Sequence, residues 1–206
     1  MRILCLIFVL ITWNATYSQK PFNTYKGSFA IGMSTGFSSF QGNNFIAKSY
    51  NSNNPSTIDL QFQLYKNYGF GCQYQHSYSS LKSTEYVGNS SVGKFGRAGV
   101  YACYYGKVGN KLLIVPKLGI GYIRLRNFLD NSANVNNGTY DYKTWGDYYS
   151  VSTDLNYFVT KGLSLFTNLD YSYLNFDGVH ASTANGISYN SCNNFGIQLG
   201  VKFWAK

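Results

Sequence analysis

The sequence predicts an all-β fold, an eight-stranded antiparallel up-and-down transmembrane β-barrel, on three observations. Eight stretches alternate apolar with small or polar residues, the gaps between them alternate long and short, and the composition is 18% aromatic but only 12% charged. That charge fraction is about half the soluble norm. With 20 Tyr and 15 Phe against 3 Pro, the chain suits a pleated, half-buried surface better than a helix.

The first element is a leader. Arg2 supplies a positive n-region, Ile3 to Trp13 form an apolar core, and Ala15-Thr16-Tyr17-Ser18 offer small residues for cleavage. The core is short of the roughly 20 residues that a helix needs to cross a bilayer, and Cys5 lies inside it rather than at a lipoprotein cleavage site. Residues 1–18 are therefore expected to be a signal peptide, 19–27 a short periplasmic segment and 28–206 the barrel. No later segment has the apolar length of a spanning helix, so a membrane-embedded mature chain must satisfy its backbone in a closed barrel.

The strands follow in order, each apolar on one parity. Ser28 to Phe37 sets Phe29, Ile31, Met33 and Phe37 against Ala30, Gly32, Ser34 and Gly36. Thr57 to Lys66 opposes Ile58, Leu60, Phe62 and Leu64 to Asp59, Gln61, Gln63 and Tyr65. Gly69 to Leu81 opposes Phe70, Cys72, Tyr74 and Tyr78 to Gly71, Gln73, Gln75, Ser77 and Ser79. Lys94 to Tyr105 is the least clean, with Ala98, Val100, Ala102 and Tyr104 on the lipid parity. Leu112 to Leu125 opposes Ile114, Pro116, Leu118, Ile120 and Tyr122 to Val115, Lys117, Gly119 and Gly121; Pro116 removes a ladder donor. Asp147 to Val159 and Leu163 to Phe176 continue the pattern, with Ser150, Ser152, Asp154, Asn156, Asn168 and Asp170 inward. Asn194 to Phe203 is the cleanest run, its Phe195, Ile197, Leu199, Val201 and Phe203 alternating with Gly, Gln and Lys.

The short gaps are Asn67-Tyr68, Gly106 to Lys111 and Thr160 to Gly162. The long gaps are Gln41 to Ser56, Lys82 to Gly93, Arg126 to Gly146 and Asp177 to Asn193, all dense in Asn, Ser and Gly as exposed loops should be. With a periplasmic N-terminus every long loop falls outside. A soluble barrel of the lipocalin type would invert the arrangement, with an apolar interior and a charged exterior.

On these runs the chain resembles the small outer-membrane β-barrel domain family, the OmpA-like and OmpX-like eight-stranded barrels, across Gly27 to Lys206. The resemblance implies the outer membrane of a Gram-negative bacterium, contact with its lipid and lipopolysaccharide, and insertion by the barrel-assembly machinery. Family members end on an aromatic residue; here Phe203 and Trp204 are followed by Ala205 and Lys206.

An eight-stranded barrel is just wide enough to be filled by its own side chains, so the inward charges are the informative ones. Lys117, Asp154 and Asp170 are expected to form a luminal ion-pair cluster, joined by Arg97, Asp59 or Lys202, because a lone buried charge costs several kcal/mol. The cluster either plugs the barrel or gates a narrow polar path. Tyr148, Tyr149, Tyr171 and Tyr173 are expected in an aromatic girdle at the membrane interface.

His76-Ser77-Tyr78-Ser79-Ser80 faintly resembles the outer-face His and Ser of the lipid A deacylases, but Tyr78 occupies the nucleophile's place and Ser77 and Ser79 have the opposite parity. No catalytic residue is expected. His180, Asp177 and Cys192 are too loosely spaced for a metal, and Asp130, Asp141 and Asp147 lack calcium-loop spacing, so neither metal nor cofactor is expected. Removing Cys5 leaves Cys72, Cys103 and Cys192, best taken as isolated thiols. The net charge of +9 points to anionic headgroups rather than nucleic acid. The functional expectation is a structural or surface-interaction role, with extracellular protein or glycan bound through the loops. The alternatives are a narrow pore for small solutes and, further off, a lipid-modifying enzyme.

Overall fold

In the computed structural model, residues 28–82, 90–129, 142–177 and 190–205 are described. The leader, the 19–27 segment, Tyr140, His180, Tyr189, Asp130 and Asp141 lie outside them.

The strands are β1 (Phe29–Gln41), β2 (Ser56–Tyr65), β3 (Tyr68–Ser80), β4 (Ser90–Tyr104), β5 (Gly106–Val108), β6 (Leu112–Leu129), β7 (Tyr142–Thr160), β8 (Leu163–Phe176) and β9 (Ser191–Ala205), with one helix, α1 (Phe45–Ser49), between β1 and β2. Neighbours along the chain pair antiparallel, apart from β4 and β5, which both pair with β6. β1 also pairs with β9 and β4 with β6, which closes the cylinder and leaves no sheet edge for lipid to meet.

β4 and β5 form one stave, so the staves number eight. Their ladders to β6 keep a common register, Cys103 opposite Lys117 and Gly106 opposite Ile114. The ladder breaks between them, where Pro116 contributes no N–H and the Tyr105 N–H instead donates to the Asn67 carbonyl. The expected turn Gly106 to Lys111 is thus partly strand, and the reversal tightens to residues 109–111, with Gly109 at φ 66°. At the β2–β3 turn Tyr65 pairs with Tyr68, and Lys66 takes φ 46°.

The expected outward parity holds on every stave. Met33, Ile58, Tyr74, Val100, Leu118, Val151, Leu165 and Leu199 are all exposed, while the intervening Asp59, Gln75, Arg97, Lys117, Ser152, Asp170 and Lys202 are buried. Such a skin would aggregate in water and is at home in hydrocarbon. On β6 the outward apolar residues run from Leu112 to Tyr122. About ten steps of ~3.3 Å, tilted by roughly 40°, cover about 25 Å, the height of the lipid band of such barrels.

The strands extend beyond the expected limits at the long-loop end, β6 to Leu129 and β7 from Tyr142. Ile123, Leu125 and Tyr148, just inside those limits, point inward and are buried, so the apolar-polar contrast is already fading while the ladder continues.

One long gap is not an exposed loop. The Asn44 side chain caps α1 by accepting from the Ala47 N–H at 2.8 Å, as Asn commonly does at an N-cap. Phe45, Ile46 and Tyr50 are then buried inside the mouth of the barrel against Phe95, Ile123, Leu125, Tyr148, Leu174 and Phe176. The Tyr50 hydroxyl donates to Asn127 Oδ1, and bridges from Asn53 to Ser38 and from Tyr50 to Leu81 pin the segment to the walls.

Candidate functional site

The lumen is layered. Below the α1 plug lies a polar middle, and below that a second apolar cluster of Tyr101, Cys103, Tyr105, Leu113 and Val115, with Phe158 and Trp204 against it.

The middle layer is built by alternation alone, because each charged residue occupies the inward parity of its strand. Asp59 comes from β2, Lys117 from β6, Asp154 from β7 and Lys202 from β9. Lys117 Nζ lies 2.7 Å from Asp154 Oδ2 and 3.3 Å from Asp59 Oδ2. Lys202 Nζ lies 2.6 Å and 3.0 Å from the same two atoms. Two ammoniums and two carboxylates therefore share one closed quartet, with no more than 4% of any side chain exposed. Gly32 makes this possible: it sits between Asp59 and Lys202 in register, and a Cβ there would meet Lys202 Cε at 2.9 Å.

Neutral donors complete the carboxylates' shells. Gln61 Nε2 donates to Asp59 Oδ2 at 2.8 Å and Asp154 Oδ2 at 3.0 Å, Asn168 Nδ2 donates to Asp154 Oδ1 at 2.7 Å, and the Tyr101 hydroxyl donates to Asp59 Oδ1. The cations also stand over aromatic faces, Lys117 over Tyr101 at 4.6 Å and Lys202 over Phe166 at 4.4 Å, an added electrostatic gain in a dry interior. A separate pair joins Arg97 Nη1 to Asp170 Oδ2 at 3.0 Å, with the Arg97 guanidinium 4.4 Å over the Tyr148 ring.

All five residues expected in the luminal cluster thus face the lumen, as does Lys202. They divide differently from the expectation: Asp170 pairs with Arg97 rather than Lys117, and Asp59 stands at the centre. Among the described residues, three cations face three carboxylates in the lumen, and their charges balance. The space left beside these groups is about 10 Å³, room for about one water. This arrangement can stabilise the barrel and fill it at this level.

Tyr149, Tyr171 and Tyr173 face outward, and Tyr149 stands opposite Tyr173. Tyr148 is a correction to the expected girdle. It is 0% exposed, because alternation turns it away from Tyr149 into the lumen, where Gln73 Nε2 reaches its hydroxyl at 3.4 Å. Gly99 and Gly121 leave room for its ring: a Cβ on Gly99 would lie 2.2 Å from the Tyr148 hydroxyl.

His76 faces outward against Tyr78, ring centroids 4.6 Å apart, while Ser77 and Ser79 are buried on the inner side. Cys72, Cys103 and Cys192 are free, Cys72 exposed on the outer wall and Cys103 and Cys192 buried. Among the described residues no cluster of His, Cys, Asp and Glu could hold a metal ion.

No protein-family model matches the chain, and no curated protein matches its sequence. Solved structures do match its shape. Neisserial surface protein A is similar over 86% of this chain and 99% of its own, at TM-score 0.60 and 12% identity. A major outer membrane protein of Thermus thermophilus is similar over 87% and 99%, at 0.57 and 11%. Ail, the attachment invasion locus protein of Yersinia pestis, solved with the heparin analogue sucrose octasulfate, is similar over 87% and 99%, at 0.52 and 10%. At such identities the likeness lies in the fold alone, and that fold is the small eight-stranded outer-membrane β-barrel.

Proposed function

We propose that this chain is a structural and surface-interaction protein of the outer membrane of a Gram-negative bacterium, exported by its 1–18 leader and inserted by the barrel-assembly machinery. It binds extracellular protein or glycan at its long-loop end and passes no solute. The observation that carries this reading is the lumen, blocked by α1 above, by the neutral quartet in the middle and by the Tyr101–Trp204 cluster below. A diffusion path would need all three layers to move.

Because the luminal charges cancel, the chain's positive surplus lies elsewhere, and an anionic glycan is the first ligand to test. Cells displaying the protein should bind immobilised heparin, and Lys48→Ala/Lys82→Ala/Lys143→Ala, which removes lysines from the long-loop end, should weaken that binding strongly while the barrel still folds. Binding that survives the replacement refutes a loop-borne site. In planar bilayers the wild type and Lys117→Ala should both remain non-conducting; steady single-channel currents would instead establish the narrow-pore reading. We assign no catalytic role, and lipid A from cells with and without the protein should have the same mass.

A further inference from the structure

Two opposite charges on the outer wall lack partners where the lipid band ends. Asp147 on β7 borders a groove in the wall and makes no ion pair among the described residues. Arg124 on β6 lies with its guanidinium 4.7 Å over the Trp145 ring. It meets no carboxylate among the described residues, and its Nε has no hydrogen-bond partner there. A guanidinium flat on a ring keeps its N–H edge available for a carboxylate.

The ladders fix where the two stand. A row of paired residues that starts at Met33 passes through Ala98, Tyr122 and Asp147 to Asn175 and Ser191. Ser191 lies beyond Asn193, the partner of Gln41, so one circuit ends far above Met33 and each step in chain order climbs towards the long loops. Asp147 is opposite Tyr122, and Arg124 is the next outward residue above Tyr122. With strands ~4.8 Å apart, a rise of ~3.3 Å per residue and a tilt of roughly 40°, that climb brings Asp147 within about 2 Å of the height of Arg124, about 8 Å away around the wall.

A twofold axis along the membrane normal, midway between the two, sets Asp147 of each copy against Arg124 of the other. Both ion pairs then close at the border of hydrocarbon and headgroups, where charges attract more strongly than in bulk water. A second copy supplies both complements at once, at the spacing that the fold dictates.

By the same geometry Val100 lies beneath that midpoint, and there the wall recedes into a groove of about 650 Å³, floored by Ala98 and Val100 and flanked by Tyr74 and Ile120. Tyr122 stands above the floor, 72% exposed. Lipid tails cover apolar surface as well as protein does, so association in a bilayer rests on close packing and polar pairs, and small residues permit the close approach. This wall offers all three.

We propose that this wall is the interface of a symmetric homodimer in the outer membrane, in which each groove receives Tyr122 of the other copy and Asp147 pairs with Arg124 across the twofold. The contact is on the wall, so it stands or falls separately from what the loops bind.

The test is cross-linking of the full mature protein in lipid vesicles. In a Cys72→Ser background, Val100→Cys should give a disulfide-linked dimer on mild oxidation, because residues beside a twofold meet their own copies. Leu199→Cys, exposed on β9 across the barrel, should stay monomeric. Asp147→Arg and Arg124→Asp should each reduce cross-linking through Val100→Cys about tenfold. Mixed in the same vesicles under distinguishable tags, the two charge variants should recover the dimer as a heterodimer, since each then complements the other; an ion pair within one chain could not be rescued in this way. Equal cross-linking through Val100→Cys and Leu199→Cys would reduce the contact to random collision and overturn the interface. No cross-linking through Val100→Cys would leave the groove to acyl chains and overturn it as well. Mixed variants that fail to recover would overturn the charge pairing and with it the twofold. Heat-modifiable gel migration checks folding. If a charge variant fails that check, Ala98→Phe, which fills the groove and leaves both charges, takes its place; it should reduce cross-linking about tenfold, and unchanged cross-linking would overturn the interface.

Discussion

Asp154→Ala should be among the most damaging single substitutions in this barrel. Its carboxylate is fully buried and takes Lys117 at 2.7 Å, Lys202 at 2.6 Å and Asn168 at 2.7 Å. Removing it leaves two buried ammoniums sharing Asp59, at 3.3 and 3.0 Å, and a lumen with one excess positive charge. Breaking a buried pair in this way costs about 3–5 kcal/mol. The assay is urea unfolding of the protein folded into lipid vesicles, followed by the fluorescence of luminal Trp204 and outward Trp145. Asp154→Ala/Lys202→Met restores neutrality and should recover roughly half the loss, so that the double variant costs several kcal/mol less than the sum of the two single variants. A loss below about 1 kcal/mol, or strict additivity, would refute the quartet.

Three further outcomes follow from the same geometry. Tyr148→Ala should cost about 3–5 kcal/mol in the same titration, and Tyr149→Ala, one residue along on the lipid side, distinctly less; similar losses would contradict the inward placement of Tyr148. Ile46→Asp places a charge in the buried plug and should unseat α1, so that a protease added outside cleaves intact cells' protein within 42–52; resistance equal to wild type would contradict a docked plug. Cys72 should react with a membrane-permeant lipophilic maleimide in folded protein, whereas Cys103 and Cys192 should react only after unfolding, as mass spectrometry of each thiol will register.

The parts of the fold that were legible share a cause. Where a strand crosses lipid, one face must be apolar and the other must not, so Phe195, Ile197, Leu199, Val201 and Phe203 declare their side without ambiguity. The inward charges declare themselves equally, since an ion on that parity cannot face hydrocarbon. Their partners were less legible: Arg97 reaches Asp170 across the lumen, and side-chain reach across a closed cylinder is not written in strand order.

The contrast fails where both faces carry large side chains. Ile123, Leu125 and Tyr148 look like lipid-facing residues by type and are luminal by parity, so the alternation blurs before the strands end and Tyr148 resembles a girdle residue. Parity counted outward from Asp154 would have placed it. The plug escaped for a related reason: Phe45 and Ile46 are adjacent apolar residues in an Asn-rich and Ser-rich stretch, too short for a helical period to show. An Asn immediately before such a pair was the available signal.

The central claim is a closed barrel of eight staves spanning the outer membrane, and heat-modifiable migration of the outer-membrane fraction tests it most directly. Unboiled protein should run faster than boiled protein, because a cylinder closed at β1–β9 and β4–β6 resists detergent until heated. A single band of unchanged mobility, or recovery in the soluble fraction, would contradict the account.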